Sequence, residues 1–360
     1  MTEPVRWGIW GTGSVAQAFA RGLGLVPGAE LSAVVSRDPE RARRFAEAFG
    51  VKRFHEGPRE LLSDAKLDVV YIATPNHLHR EHALTAIAAR KAVLCEKPFA
   101  LNAGEAREVA DAARRERVFC MEAMWMRFMP LVQRARRLIG DGAIGEVLGL
   151  SADFALPVHE DPEAAAWRRE TGGGALLDRG IYCLSLASLL LGEPERVSGT
   201  AALTAAGVDA TSSYSLSYRS GALAVLWASQ RAQGSNQAVV HGSRANLRLH
   251  EPFIRPHLLT LNAVRAKAEP NRAEPALPSG AQRLKENPLV QQVMRRVQPL
   301  VTRPEDSWLE PVPGTGYQFE AAEVMRCLRS GVLESPDMPL AESVRILELA
   351  DELQRGWSRA

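Results

Sequence analysis

The apolar run Val5–Trp10 leads straight into Gly11-Thr12-Gly13-Ser14-Val15-Ala16, and this junction constrains the fold more than any other feature of the chain. A strand that ends in a Gly-x-Gly-x-x-Ala turn and continues as a helix fits one local geometry. Gly11 permits the tight turn, Gly13 lets the main chain approach a ligand, and the small Ala16 lets the helix pack on the strand. The unpaired N–H groups and the positive end of the helix dipole then favour a pyrophosphate. Gly11, Thr12, Gly13, Ser14 and Val15 are thus expected to bind the phosphates of a nicotinamide dinucleotide.

The downstream rhythm agrees with that start. Leu31–Ser36, Asp68–Ala73, Ala92–Cys95 and Val118–Met121 read as further strands, alternating with helical patterns as in a parallel sheet covered on both faces. Asp38-Pro39 offers an N-cap followed by proline in the first turn, and Asn102 with Glu105 has the same N-terminal punctuation. A doubly wound α/β Rossmann domain is expected over residues 1–122.

Beyond residue 123 the pattern becomes that of an α+β domain, 123–360, with a large, mostly antiparallel open sheet. Helical signals fall near Leu131–Ile139 and Ala175–Leu191, and strand signals at Val197–Leu203, Gln237–His241, Asn246–His250 and His257–Leu261. In Thr211–Arg219, Tyr214, Leu216 and Tyr218 alternate with serines before Ser220-Gly221 turns into Ala222–Gln230, which is a hairpin. A sheet with one helical layer leaves its other face open, for solvent or for a homo-oligomer. Residues 264–315, rich in proline and charge, read as a surface excursion containing one short helix from Asn287-Pro288. Amphipathic helical patterns return at Gln318–Leu328 and Glu342–Gln354.

Composition narrows the function classes. With 46% apolar and 24% charged residues and a formal charge of +2 over 360 residues, nothing advertises a nucleic acid or membrane partner. Cys95, Cys120, Cys183 and Cys327 are too scattered for a disulfide framework or a Cys-x-x-Cys zinc site. The amino terminus lacks a basic segment followed by an apolar stretch, and no run approaches bilayer length, so a cytoplasmic location is expected.

The end of the second strand selects among dinucleotides. An NAD site usually carries Asp or Glu there for the adenosine ribose; this chain has Ser36-Arg37, whose hydroxyl and guanidinium suit a 2′-phosphate. NADP is the expected cofactor. Asp38 stands close by, but its place before Pro39 fits an N-cap better.

Three later segments carry a family resemblance: Ala73-Thr74-Pro75-Asn76-His77, Glu96-Lys97-Pro98, and Gly172-Gly173-Gly174 running on through Asp178-Arg179-Gly180-Ile181-Tyr182. With the glycine turn, they make the chain resemble the glucose-fructose oxidoreductase/inositol dehydrogenase (Gfo/Idh/MocA) family over nearly its whole length. Met121 to Phe128 and the tyrosine at 182 look like the branch of dimeric dihydrodiol dehydrogenases and NADP-dependent D-xylose 1-dehydrogenases.

The resemblance implies hydride transfer between NADP and a secondary alcohol, hemiacetal or carbonyl carbon of a sugar or cyclic vicinal diol. Tyr182 would be the general acid/base, Lys97 its electrostatic partner, and Asp178 a group that binds a substrate hydroxyl or orients the pair. It also implies that Thr74, Pro75, Asn76, His79 and Glu96 border the cofactor, that Trp167-Arg168 flank the nicotinamide, and that Trp125 and Phe154 form an apolar wall. Arg179 departs from the aliphatic residue expected between Asp178 and Gly180. His77, His79 and His82 have no Glu or Cys companion at ligand spacing, so no metal site is read there. The alternatives are an anhydro- or keto-sugar reductase of the same family and a non-catalytic NADP-sensing protein, the latter having no need of a Lys97–Tyr182 pair.

Overall fold

The computed structural model describes residues 3–264, 290 and 306–357. Its first sheet has six parallel strands, β1 (Val5–Trp10), β2 (Ala29–Val35), β3 (Arg53–His55), β4 (Val69–Ile72), β5 (Ala92–Glu96) and β6 (Cys120–Ala123), in the order β3-β2-β1-β4-β5-β6. Every residue of β4, β5 and β6 is buried, as strands sandwiched between helices must be. The helices are α1 (Ser14–Leu23), α2 (Pro39–Phe49), α3 (Pro58–Ser63), α4 (His79–Ala88) and α5 (Ala103–Glu116). Their expected punctuation is present: the Asp38 carboxylate caps α2, and Asn102 Oδ1 accepts from Glu105 N at 2.9 Å at the start of α5. The three-residue β3, which the pattern reading missed, is too short for alternation to register. Strand order reverses between β1 and β4, which opens a crevice at their carboxyl ends.

The second sheet has eight strands: β7 (Val147–Ala155), β8 (Arg196–Leu203), β9 (Asp209–Ser217), β10 (Leu223–Ser229), β11 (Ala238–Gly242), β12 (Ala245–Leu249), β13 (Leu258–Ala263) and β14 (Asp306–Leu309). Their order is β14-β13-β12-β11-β7-β10-β9-β8. All neighbours are antiparallel except β7 and β10, which run parallel with Leu223 opposite Gly149. The hairpin forms as read, with Ser217 opposite Leu223. β7 escaped the sequence reading although it is central. β14 belongs to the expected surface excursion, yet it pairs with β13 at the sheet edge, so that end of the segment extends the sheet. The helix expected from Asn287-Pro288 lies outside the described residues.

Helices α6 (Pro130–Gly140), α7 (Ile181–Leu191) and α9 (Leu340–Trp357) cover one face of this sheet, while α8 (Tyr317–Arg329) returns to pack against α1. The stretch Arg169–Leu191 is, against expectation, long and apolar enough by length and composition to cross a membrane, but 72% of its window is buried inside the protein. Its α7 part packs on β7 and β10 as a core helix. Arg127 helps to seat α7: fully buried, it donates to Ser185 Oγ (2.7 Å) and Ser185 O (3.0 Å) and pairs with Glu342 Oε1 of α9 at 2.6 Å. Among the described residues no helix covers the opposite sheet face, where Leu223 and Val225 are each 59% exposed.

Candidate active site

Gly11 leaves β1 with φ +118°, and a Cβ there would stand 2.4 Å from Ala73 O in the loop after β4. Only glycine lets the two loops approach so closely. Gly13, the N-cap of α1, has open space where a Cβ would project, no side-chain capping bond follows it, and the first turn carries no acid. An anion would meet free N–H donors and no competing carboxylate. Those donors open onto a cavity of about 410 Å³ lined by Gly11, Thr12, Gly13, Ser14, Val15, Ser36, Arg37, Thr74, Pro75, Asn76, His79, Glu96, Lys97 and Asp178. Arg41 and His82, which the sequence reading did not assign to the site, line it too.

At the β2 end, Ser36 Oγ accepts from Thr12 Oγ1 at 3.3 Å. Asp38 is committed elsewhere, its Oδ1 accepting from Glu40 N (3.0 Å) and Arg41 N (3.2 Å). Arg37 and Arg41 are exposed and stand in no ion pair among the described residues. A dinucleotide with a phosphate at this end fits that donor set.

The loop after β4 is braced by histidines. The two ring nitrogens of His79 lie 2.8 Å from Thr74 O and 2.8 Å from Pro98 O, tying this loop to the one after β5. Burial lowers its pKa, while the two carbonyls, which only the doubly protonated ring could satisfy together, oppose that shift. His82 stacks on Trp10 with centroids 4.0 Å apart and lies 3.0 Å from Thr74 Oγ1; burial and then His79 and Arg37 push it down to about 4. Among the described residues no group of three or more His, Cys, Asp or Glu side chains is placed to hold a metal.

At the β5 end, Lys97 Nζ donates to Asp178 O (2.8 Å) and Asp178 Oδ1 (3.1 Å) and stands 4.9 Å from the centre of the Tyr182 ring. A π-helical turn, Leu176–Gly180, precedes α7, and it is there that Asp178 offers both carbonyl and side chain to Lys97. Trp125 Nε1 donates to Tyr182 Oη at 3.0 Å. Phe154, at the end of β7, meets the Tyr182 ring edge-on at 5.5 Å. Tyr317 of α8 stacks on Trp125 at 5.1 Å; it was missed in the sequence because it comes from the far end of the chain.

Burial and charge compete here. Burial lowers the Lys97 ammonium, but Tyr182, Asp178 and Glu96 outweigh it and hold it above the ordinary lysine value. Burial raises Tyr182 to about 12 even though Lys97 and the Trp125 N–H pull it down. The ammonium therefore favours the phenolate without making it the resting form. Asp178 stays low, since Lys97 and Arg179 overcome its burial. Beneath this group the Tyr71 hydroxyl donates to Glu96, whose carboxyl burial raises to about 7. Glu320 of α8, also fully buried, is pushed well up by burial and by Glu96.

Five expected residues do not line the cavity: Tyr182, Trp125 and Phe154 are buried behind Lys97 and Asp178, while Trp167 and Arg168 turn away from it. Trp167 is buried with its Nε1 donating to His159 O at 2.9 Å, and Arg168 is turned to Glu170 at 2.5 Å. Their segment does approach the cofactor loops through Asn76 Nδ2, which donates to Gly172 O at 3.3 Å.

Residues 5–124 match the oxidoreductase family with an NAD-binding Rossmann fold, and residues 132–248 match the GFO/IDH/MocA C-terminal domain. The trans-1,2-dihydrobenzene-1,2-diol dehydrogenase of Mus musculus is 33% identical over 363 residues, covering 98% of this chain and 96% of that protein. The chain belongs to the GFO/IDH/MocA family. Within that family, the diol dehydrogenase of Xenopus laevis is 32% identical, with 96% of each chain covered. Two solved structures superpose over 99% of this chain and 98% of their own. A 3-ketoreductase from Actinomadura kijaniata, in complex with NADP and TDP-benzene, has TM-score 0.78 and 24% identity. A levoglucosan dehydrogenase in complex with NADH and levoglucosan has TM-score 0.81 and 22% identity. This GFO/IDH/MocA chain is an oxidoreductase acting on CH–OH groups, with a nicotinamide-binding Rossmann unit.

Proposed function

We propose that this protein is an NADP-dependent oxidoreductase acting on a secondary alcohol, hemiacetal or carbonyl carbon of a sugar or cyclic vicinal diol. The observation that carries the reading is that Lys97 and Asp178, which line one cavity with Ser36, Arg37 and Arg41, are packed against Tyr182 and Trp125 just behind that lining. The bound nicotinamide would supply or accept the hydride.

Tyr182 is a neutral phenol at physiological pH, so it is charged to donate a proton to a carbonyl oxygen. In the reverse direction the Lys97 ammonium and the Trp125 N–H stabilise the phenolate that takes the alcohol proton. Asp178 fixes Lys97 and, with its side chain 41% exposed, is available to a substrate hydroxyl. Trp125 and Phe154 border Tyr182 as apolar surfaces for a ring. The open sheet face with Leu223 and Val225 is proposed as a homo-oligomer surface, checked by light scattering of wild type and Val225→Glu.

The reading is tested with Tyr182→Phe and Lys97→Met. Each is expected to lower kcat by at least about 100-fold with sugars and cyclic diols while NADP binding changes little. Turnover unchanged in Tyr182→Phe would remove the tyrosine from the mechanism.

A further inference from the structure

Arg179 is the residue that the functional reading leaves unused. It lies in the π-helical turn between Asp178 and Gly180, with its side chain only 11% exposed. Its guanidinium carbon is 5.4 Å from the centre of the Phe154 ring, the ring that meets Tyr182 edge-on at 5.5 Å. Its Nε is buried and has no hydrogen-bond partner among the described residues, and Asp178 Oδ2 is 3.7 Å away, beyond hydrogen-bond distance. Gln230, just past β10 and fully buried, helps hold Asp178 ionised, yet neither of its amide atoms has a partner within hydrogen-bond distance among the described residues. Arg179 thus flanks Asp178 with a donor to spare, while Gln230 is turned toward Asp178.

Charge points the same way. Asp178 is one carboxylate facing two cations, Lys97 at 3.1 Å and Arg179 at 3.7 Å; Glu96, the other acid acting on Lys97, is raised by burial to about 7, so the group carries an excess positive charge while Glu96 is protonated. A nearly buried guanidinium without a full set of acceptors is costly, and a planar carboxylate is the partner whose geometry matches its fork. The aromatic ring beneath it leaves the guanidinium edges, not its face, for such a partner.

We infer that the substrate is acidic: a hydroxylated ring or sugar carrying a carboxylate that pairs with Arg179, while its CH–OH carbon faces Tyr182. This rests on the oxidoreductase reading for the placement of the reacting carbon, but the carboxylate site itself does not require turnover. No covalent step is added, since Arg179 binds and orients.

The test is calorimetric titration of the NADP-loaded protein with two matched pairs, D-glucuronate against D-glucose and D-galacturonate against D-galactose, which differ only at C6. At least one acid is expected to bind about 10–100-fold more tightly than its neutral partner, the range for a hydrogen-bonded charge pair. In Arg179→Met that difference should shrink to less than about threefold, and Arg179→Lys should restore part of it. Acids that bind no better than their neutral partners in the wild type overturn the inference, as does a preference that survives in Arg179→Met. Tight acid binding with no hydride transfer would instead keep the carboxylate site and remove the proposed placement of the reacting carbon at Tyr182.

Discussion

The indole N–H of Trp125 donates to the hydroxyl of Tyr182 across 3.0 Å, so the oxygen that would exchange a proton with substrate is held from a turn that follows β6. A donor at that oxygen favours the phenolate over the phenol. Trp125→Phe keeps the aromatic surface and removes the donor. Alcohol oxidation at neutral pH should fall about tenfold, and the pH at which it rises should move upward, because the phenolate that serves as base loses a donor. Rate–pH profiles of wild type and variant decide it, and a loss with an unshifted profile would point to a packing role alone.

Cofactor selection is concentrated at the end of β2. Arg37 has no ion pair to compete for it among the described residues, and Asp38 is spent on capping α2. Arg37→Ala should weaken NADP binding about 10–100-fold and NAD binding less than about twofold. Fluorescence titration with each reduced cofactor measures the split; a common loss for both would place Arg37 elsewhere than at a phosphate.

The buried acid under the site has a pH signature. The folded protein holds the Glu96 proton up to about pH 7, whereas an ordinary carboxyl releases it near 4.5. A raised carboxyl pKa means that the folded state binds more protons in that window, so the associated stability is full below about 4.5 and is lost as pH rises toward 7. Glu96→Gln should flatten this part of the profile. Urea unfolding at about pH 5 and about pH 7.5 compares the two proteins, and an identical decline in both would show that Glu96 does not titrate in this way.

Arg127 offers a contrast between buried and exposed pairs. Its side chain is 0% exposed, against 43% for Arg136, which pairs with Asp337 at 2.6 Å. Arg127→Met strands Glu342 and the Ser185 carbonyl and should cost about 3–5 kcal/mol. Arg136→Met should cost less than about 1 kcal/mol. Denaturant midpoints at one pH measure both, and similar costs would mean that the Arg127 network contributes no more than a surface pair.

Much of this molecule could be read from local pattern. The glycine turn, the caps at Asp38 and Asn102, and the 211–230 hairpin depend on neighbours in sequence, and all are found where their residues place them. β7 was missed because a central strand is buried by partners distant in the chain and need not alternate cleanly. Trp167 and Arg168 were misplaced for the opposite reason: adjacency to the Gly172 run says nothing about which way a side chain turns.

The nucleotide-binding unit follows from the sequence alone, because a strand, a glycine turn and a helix N-terminus fix their own geometry, and the proposed preference for a phosphate at Ser36-Arg37 is also a reading of sequence. Lys97, Asp178 and Tyr182 could be named from their motifs, but their protonation states could not. Tertiary packing decided those, by burying Tyr182 under Trp125 and Phe154 and setting Lys97 against Asp178. It also brought Tyr317 and Glu320 beneath the site and laid Arg179 on Phe154. Burial and charge separation act through space, between residues far apart in the chain, and only the folded chain sets those distances.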